Sequence, residues 1–139
     1  MSRSILLLGV ACLFCGAAHA ETVPFSATLA GASEVPPKTT AGTGAATATL
    51  DTTAKTLTYN VEYSGLSGPA TAAHFHGPAE PGANAGVVVP FPTPASPIKG
   101  TATLTDAQMS DLMAGKWYAN VHTAANPAGE IRGQLTRAK

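Results

Sequence analysis

Three histidines are the residues of this chain best suited to bind a metal. His74 and His76 form a His-x-His pair, and His122 lies further along the chain. Alternate residues on a strand point to the same face with Cα atoms about 6 to 7 Å apart, so one ion can bridge the pair. Because neutral imidazole binds both metals, the set predicts a trihistidine site for copper or zinc. Ordinary hydrogen-bonded surface histidines are the competing interpretation.

Arg132 is the residue that could act on a substrate near such a metal. Its guanidinium stays charged and can attract and orient a small anion near the metal, which would make Arg132 catalytic. A cross-strand ion pair with Glu130 is the structural alternative. Glu130 is expected to orient Arg132 or a histidine. Asn120 is expected to hold a loop or a histidine tautomer in place.

The composition limits both the size of the protein and the kind of partner it can have. The chain has 139 residues, no net charge and only 12% charged residues, which suits one small domain. Eight Lys and Arg leave no basic field for phosphates, so nucleic acid is not an expected partner. Fourteen glycines and eleven prolines favour short strands joined by turns.

The N-terminus has the organisation of a signal peptide. Arg3 provides the positive charge, Ile5–Phe14 the short apolar run and Ala18–Ala20 an A-x-A cleavage site. We therefore predict a signal peptide at residues 1–20 and a single mature β-domain at 21–139, exported to the periplasm or the medium, with no membrane partner after cleavage. Cleavage would remove both Cys12 and Cys15, which leaves neither a disulfide nor a thiolate metal site.

Alternating apolar residues and turn signals predict an all-β fold. Strands are expected at residues 23–29, 43–50, 56–63, 70–76, 87–91, 98–104, 117–123 and 129–137. One short helix is expected after the capping-box sequence at Thr105–Gln108, with Gly115 at its end. The predicted fold class is an antiparallel Greek-key β-sandwich or barrel with one short helix.

The same alternation predicts which side chains share a face. His122, Asn120 and Tyr118 alternate with apolar neighbours and should lie outside the core. A hairpin centred near Pro127 would set His122 opposite Arg132 and bring Glu130 to the same patch. The His-x-His pair joins this patch if its strand neighbours the hairpin. The aromatic residues, Tyr118 included, are expected to be core or sheet-face residues without a chemical role.

Four segments together resemble the CHRD domain, which is named after chordin. They are Phe25–Pro37 (FSATLAGASEVPP), Ala73–Pro78 (AHFHGP), Ala119–Thr123 (ANVHT) and Gly129–Leu135 (GEIRGQL). The resemblance covers nearly the whole predicted mature chain. It implies a secreted or periplasmic β-domain and does not define an activity.

A second, local resemblance is to the metal site of copper/zinc superoxide dismutases. Ala72–His76 is similar to their ligand pair on a strand, His122 to a further copper ligand, and Ala128–Arg132 to the segment that carries their anion-guiding arginine. The chain departs from that family in having no bridging histidine, zinc loop or cysteine pair, and in an arginine spacing one residue longer. The resemblance therefore implies a copper-only, trihistidine site.

Two kinds of function follow from these features. The first is an exported mononuclear copper protein, with superoxide dismutation as its candidate activity. The second is a non-catalytic role, either as a periplasmic copper carrier or as a secreted interaction or adhesion domain.

Overall fold

The structure is a computed structural model that describes residues 20–139. The predicted signal peptide lies outside the described residues apart from Ala20. The described part contains nine strands, a single 3₁₀ turn at Gly31–Ser33 and one α-helix, α1, at Asp106–Met113. The strands are β1 Thr22–Ala30, β2 Thr43–Asp51, β3 Thr56–Ser64, β4 Ala70–His76, β5 Val87–Pro90, β6 Ile98–Thr103, β7 Tyr118–Thr123, β8 Ile131–Gln134 and β9 Thr136–Arg137.

The strands form one antiparallel sheet that is nearly closed into a barrel. The order across the sheet is β5-β4-β7-β8-β1-β2-β3-β6, and β9 also pairs with β1. Among β1 to β8, three pairs of consecutive strands are not neighbours in the sheet: β3 and β4, β5 and β6, and β6 and β7. The predicted antiparallel β fold with one short helix is confirmed.

Alternation along the strands places one side of each strand in the core. Phe25 and Leu29 of β1, Phe75 of β4 and Val121 of β7 are all at most 1% exposed. Burial of each such side chain contributes about 1.5–3 kcal/mol. Trp117, which directly precedes β7, is also fully buried. The core therefore anchors β4 and β7, whose alternate residues point outward.

The short helix follows the predicted capping pattern. The Thr105 hydroxyl accepts from the N–H of Gln108, and the Gln108 side chain accepts from the N–H of Thr105. Gly115, with φ +74°, follows the C-cap residue and adopts the left-handed conformation that favours glycine. Leu112 is fully buried, which attaches the helix to the core. No helix among residues 20–139 is long and apolar enough to cross a membrane.

The end of the chain differs from the prediction in two respects. The expected strand at 129–137 is divided into β8 and β9, because its two parts pair mainly with different strands: β8 with β7, and β9 with β1. In the β7–β8 hairpin, Arg132 lies opposite Asn120 rather than opposite His122. The physical reason is the turn, where Thr123 and Asn126 exchange backbone hydrogen bonds and move the centre of the hairpin towards Asn126.

Candidate metal centre

The pairing of β4 with β7 brings the three histidines together on the outer face of the sheet. His122 lies opposite Ala72, and His74 lies opposite Asn120. The ring centroid of His74 is 5.4 Å from that of His76 and 5.0 Å from that of His122. One ring nitrogen from each histidine lies within 4.8 Å of the other two. The predicted convergence of the histidines is therefore present.

Backbone carbonyls determine which ring nitrogens are available. Nδ1 of His76 is 2.9 Å from Ala85 O, and Nδ1 of His122 is 2.9 Å from Pro127 O. A carbonyl oxygen can only accept, so each Nδ1 carries the proton and each Nε2 of the neutral ring keeps a lone pair. The Nε2 of His76 is buried and has no hydrogen-bond partner in the described part of the chain. A buried lone pair of this kind is typical of a metal ligand.

One pair of these nitrogens is spaced as for two ligands of a shared ion. Nδ1 of His74 and Nε2 of His122 are 3.2 Å apart, a distance that also fits a hydrogen bond between the two rings in the metal-free protein. Two imidazole nitrogens that each lie about 2.0 Å from an ion, at an angle of roughly 100–120°, are separated by about 3.1–3.5 Å. Three nitrogen ligands leave a fourth coordination position, and all three side chains are only partly buried.

The surroundings keep two of these rings neutral, which is the form that binds metal. Burial, followed by the neighbouring His122 and His76, lowers the pKa of His74. Burial also lowers the pKa of His76, and the charges of His122 and Arg132 add to this effect, while the hydrogen bond to Ala85 opposes it. Both rings are therefore neutral at neutral pH.

Tyr118 is a site residue to which the sequence prediction gave no chemical role. Its ring is parallel to that of His76, with an interplanar angle of 1° and centroids 4.8 Å apart. On its other face, the guanidinium carbon of Arg132 lies 3.4 Å from the ring centroid. The signal available in the sequence was the alternation that placed Tyr118 on the same face as His122.

Arg132 lies on the histidine side of the sheet but does not adjoin all three rings. In the register, Asn120 of β7 lies between His74 and Arg132, which puts Arg132 two strand spacings, roughly 10 Å, from His74. Its terminal nitrogens donate to Asn84 Oδ1, at 2.9 Å, and to Ala83 O. The side chain is 2% exposed. Arg132 therefore binds the loop before β5 instead of forming the alternative ion pair with Glu130.

Asn120 contacts a carboxyl that the sequence prediction did not single out. Its Nδ2 donates to Glu34 Oε1 and, at 3.3 Å, to Ile131 O. Glu34 is 5% exposed, and burial raises its pKa to about 7 although Arg132 and Asn120 act to lower it. Gly129, with φ +128°, is required beside this pair, because a Cβ there would collide with Asn120 and Glu34.

A small cavity connects this buried carboxyl with the histidine side. Its volume is about 220 Å³, and Glu34, His76, Tyr118 and Arg132 all line it. Residues of the loop that contains Glu34 and of the loop before β5 contribute to its lining. Of the three histidines, His76 is the one that lines this cavity.

Glu130 is not among the groups that contact the histidines or Arg132. Its carboxylate accepts four hydrogen bonds, from Thr40 Oγ1 at 2.6 Å, Ser67 N at 2.8 Å, Ser67 Oγ at 2.7 Å and Thr123 Oγ1 at 2.6 Å. Burial raises its pKa, but the hydrogen bonds from Ser67, Thr123 and Thr40 outweigh burial and lower the pKa to about 2. The fully buried carboxylate connects the loop before β2 and the loop at residues 65–69 to the end of β7.

Fold and site together define an antiparallel β-domain with a three-histidine cluster on the outer face of its sheet. Comparison with protein families finds the CHRD domain over residues 25–135, and the chain belongs to this family. The resemblance expected from the four motifs is thus confirmed. No curated protein and no solved structure matches the chain, so the local likeness to copper/zinc superoxide dismutases receives no support.

Proposed function

We propose that this protein is an exported mononuclear copper-binding protein whose ligands are His74, His76 and His122. The supporting observation is the arrangement of the ring nitrogens. Carbonyl acceptors hold the protons of His76 and His122 on Nδ1, and Nε2 of His76 is buried without a partner. An all-nitrogen set without carboxylate suits copper or zinc, and the Irving–Williams order favours copper where both metals are supplied.

The site is tested by loading the purified chain with cupric ion. We expect one copper per chain by elemental analysis and nitrogen hyperfine structure in the electron paramagnetic resonance spectrum. The control is the triple variant His74→Ala, His76→Ala and His122→Ala, with its fold checked by circular dichroism. Equal copper content in a folded control and in the wild type would refute the proposed ligand set. A parallel loading with zinc tests the alternative metal.

The open coordination position favours superoxide dismutation as a second candidate function. The three ligands are each partly exposed, so a small anion could reach the fourth position. A copper ion held by His74, His76 and His122 would supply the one-electron chemistry, since it would accept an electron from one superoxide, giving O₂, and pass it with two protons to a second, giving H₂O₂. Arg132 would contribute through its charge, which attracts anions towards this side of the sheet.

Arg132 provides the test of this activity. We expect Arg132→Met to retain copper, to lower the rate of superoxide removal at low ionic strength by about tenfold, and to show a weaker salt dependence than the wild type. Superoxide would reach the site more slowly because the charge that attracts it is lost. A copper-loaded wild type without dismutase activity would instead support the non-catalytic copper carrier. A wild type that binds no metal would support the secreted interaction or adhesion domain.

A further inference from the structure

His76, Tyr118 and Arg132 form a stacked column beside the histidine cluster. The His76 and Tyr118 rings are parallel at 4.8 Å, and the Arg132 guanidinium carbon lies 3.4 Å from the Tyr118 centroid on the other side. Tyr118 is 3% exposed and Arg132 2% exposed. Stacking of an aromatic ring between an imidazole and a cation limits the rotation of all three side chains.

All three members of the stacked column also bind the same short loop at residues 83–85. His76 Nδ1 donates to Ala85 O, while the Tyr118 hydroxyl accepts from Ala85 N at 3.1 Å and donates to Ala85 O at 3.2 Å. Arg132 donates to Ala83 O and to Asn84 Oδ1. Because the carbonyl that selects the His76 tautomer belongs to a loop held by Tyr118 and Arg132, these two residues control the tautomer as well as the ring plane.

The stacked column also places the buried positive charge of Arg132 near the proposed metal ligands. Arg132 has no acidic partner within ion-pair distance among the described residues, where the ion pairs are Lys55–Asp106 and Lys116–Glu80. Its terminal nitrogens are bound to neutral oxygens, of Ala83 and Asn84. The positive charge of Arg132 repels an ion bound at His76, and it repels a doubly charged ion more strongly than a singly charged one.

We propose that Tyr118 and Arg132 are positioning residues, which hold the His76 ring with Nε2 available and shift the site towards cuprous over cupric ion. The second part rests on the proposed copper function, whereas the first concerns the metal-free protein. At an effective dielectric constant near 20 and roughly 10 Å, removing the Arg132 charge changes the relative affinity for the two copper ions by about tenfold.

The first test needs no metal and reads the His76 tautomer from nitrogen-15 chemical shifts by nuclear magnetic resonance. The wild type is expected to show a single form protonated at Nδ1. Tyr118→Leu removes both the stacking and the hydroxyl, so we expect a mixture of tautomers. Tyr118→Phe keeps the stacking and should give a smaller change. Tyr63→Phe is the matched control, since it removes a tyrosine hydroxyl whose partner, Pro94 O, lies elsewhere. An unchanged tautomer in folded Tyr118→Leu would overturn the positioning role.

The second test measures cuprous and cupric dissociation constants by chelator competition. In Arg132→Met we expect the preference for cuprous over cupric ion to fall by about tenfold. In Tyr118→Leu we expect both affinities to fall by about 10- to 100-fold, as for other residues that support metal ligands. An unchanged ratio in Arg132→Met would refute the charge effect. If the wild type binds no copper, the proposed function and the charge effect both fail, and the tautomer measurement alone decides the positioning role.

Discussion

Replacing Glu130 with Gln is expected to lower the free energy of unfolding by about 2–4 kcal/mol at pH 7. The carboxylate is fully buried and accepts four hydrogen bonds, two on each oxygen. An amide of the same size keeps one acceptor oxygen but turns an NH₂ group towards groups that donate to the wild-type carboxylate. The loss is measured by urea denaturation followed by tryptophan fluorescence, which reports on the buried Trp117.

The loss of stability caused by Glu130→Gln should become smaller as the pH falls. The folded-state pKa of Glu130, about 2, is below the ordinary value of 4.5, so its stabilising contribution is present above pH 4.5 and is lost as the pH falls towards 2. The difference between Glu130→Gln and the wild type should therefore shrink over that range. Glu62→Gln, at an exposed position of β3, is the matched control and should change stability by less than about 0.5 kcal/mol. A Glu130→Gln effect as small as that of the control would contradict the structural role.

Glu34→Gln is expected to have the opposite sign and to stabilise the domain at pH 8. Burial raises the pKa of Glu34 from 4.5 to about 7, so the folded state at pH 8 contains a buried carboxylate. The contribution of Glu34 to the free energy of unfolding is fully present below pH 4.5 and is lost as the pH rises through 7. The contribution changes by about 3 kcal/mol over this range. Gln has a neutral side chain of the same size and keeps an oxygen that can accept from Asn120.

The stability difference between Glu34→Gln and the wild type isolates this carboxyl, since the titration of the histidines is common to both proteins. We expect the difference to be small at pH 4 and to grow in favour of the variant between pH 4.5 and 8. Denaturation curves at a series of pH values measure it. A variant that is less stable than the wild type at pH 8 would show that ionised Glu34 is better stabilised by Arg132 than burial would suggest. Glu62→Gln again serves as the control.

Local patterns in the sequence were sufficient to predict the separate elements. Period-two alternation predicted the strands that became β1 to β4 to within two residues at each end, because each has one face in the core. The capping box predicted the start of the helix, since its hydrogen bonds connect residues only three apart. Because Phe75 points into the core, the side chains of His74 and His76 on either side of it were predicted to point outward.

Local patterns could not predict which residues pair across neighbouring strands. The opposition of Asn120 and Arg132 depends on how the turn closes, and a shift of two residues preserves the face of every side chain. Alternation is therefore equally satisfied by the predicted and the observed register. The position of Glu130 is a related case, because its partners Thr40 and Ser67 come from loops with no periodic pattern.

The amino-acid sequence by itself determined the β-class of the domain, its family and the face on which the histidines lie, because these depend on local alternation and on motif residues. Only the tertiary structure decided that β4 and β7 are neighbours, that Tyr118 stacks on His76, and that Glu34 is buried against Asn120. These contacts join segments far apart in the chain. Their free energy comes from packing and hydrogen bonds that exist only after the sheet has closed, so no local pattern encodes them.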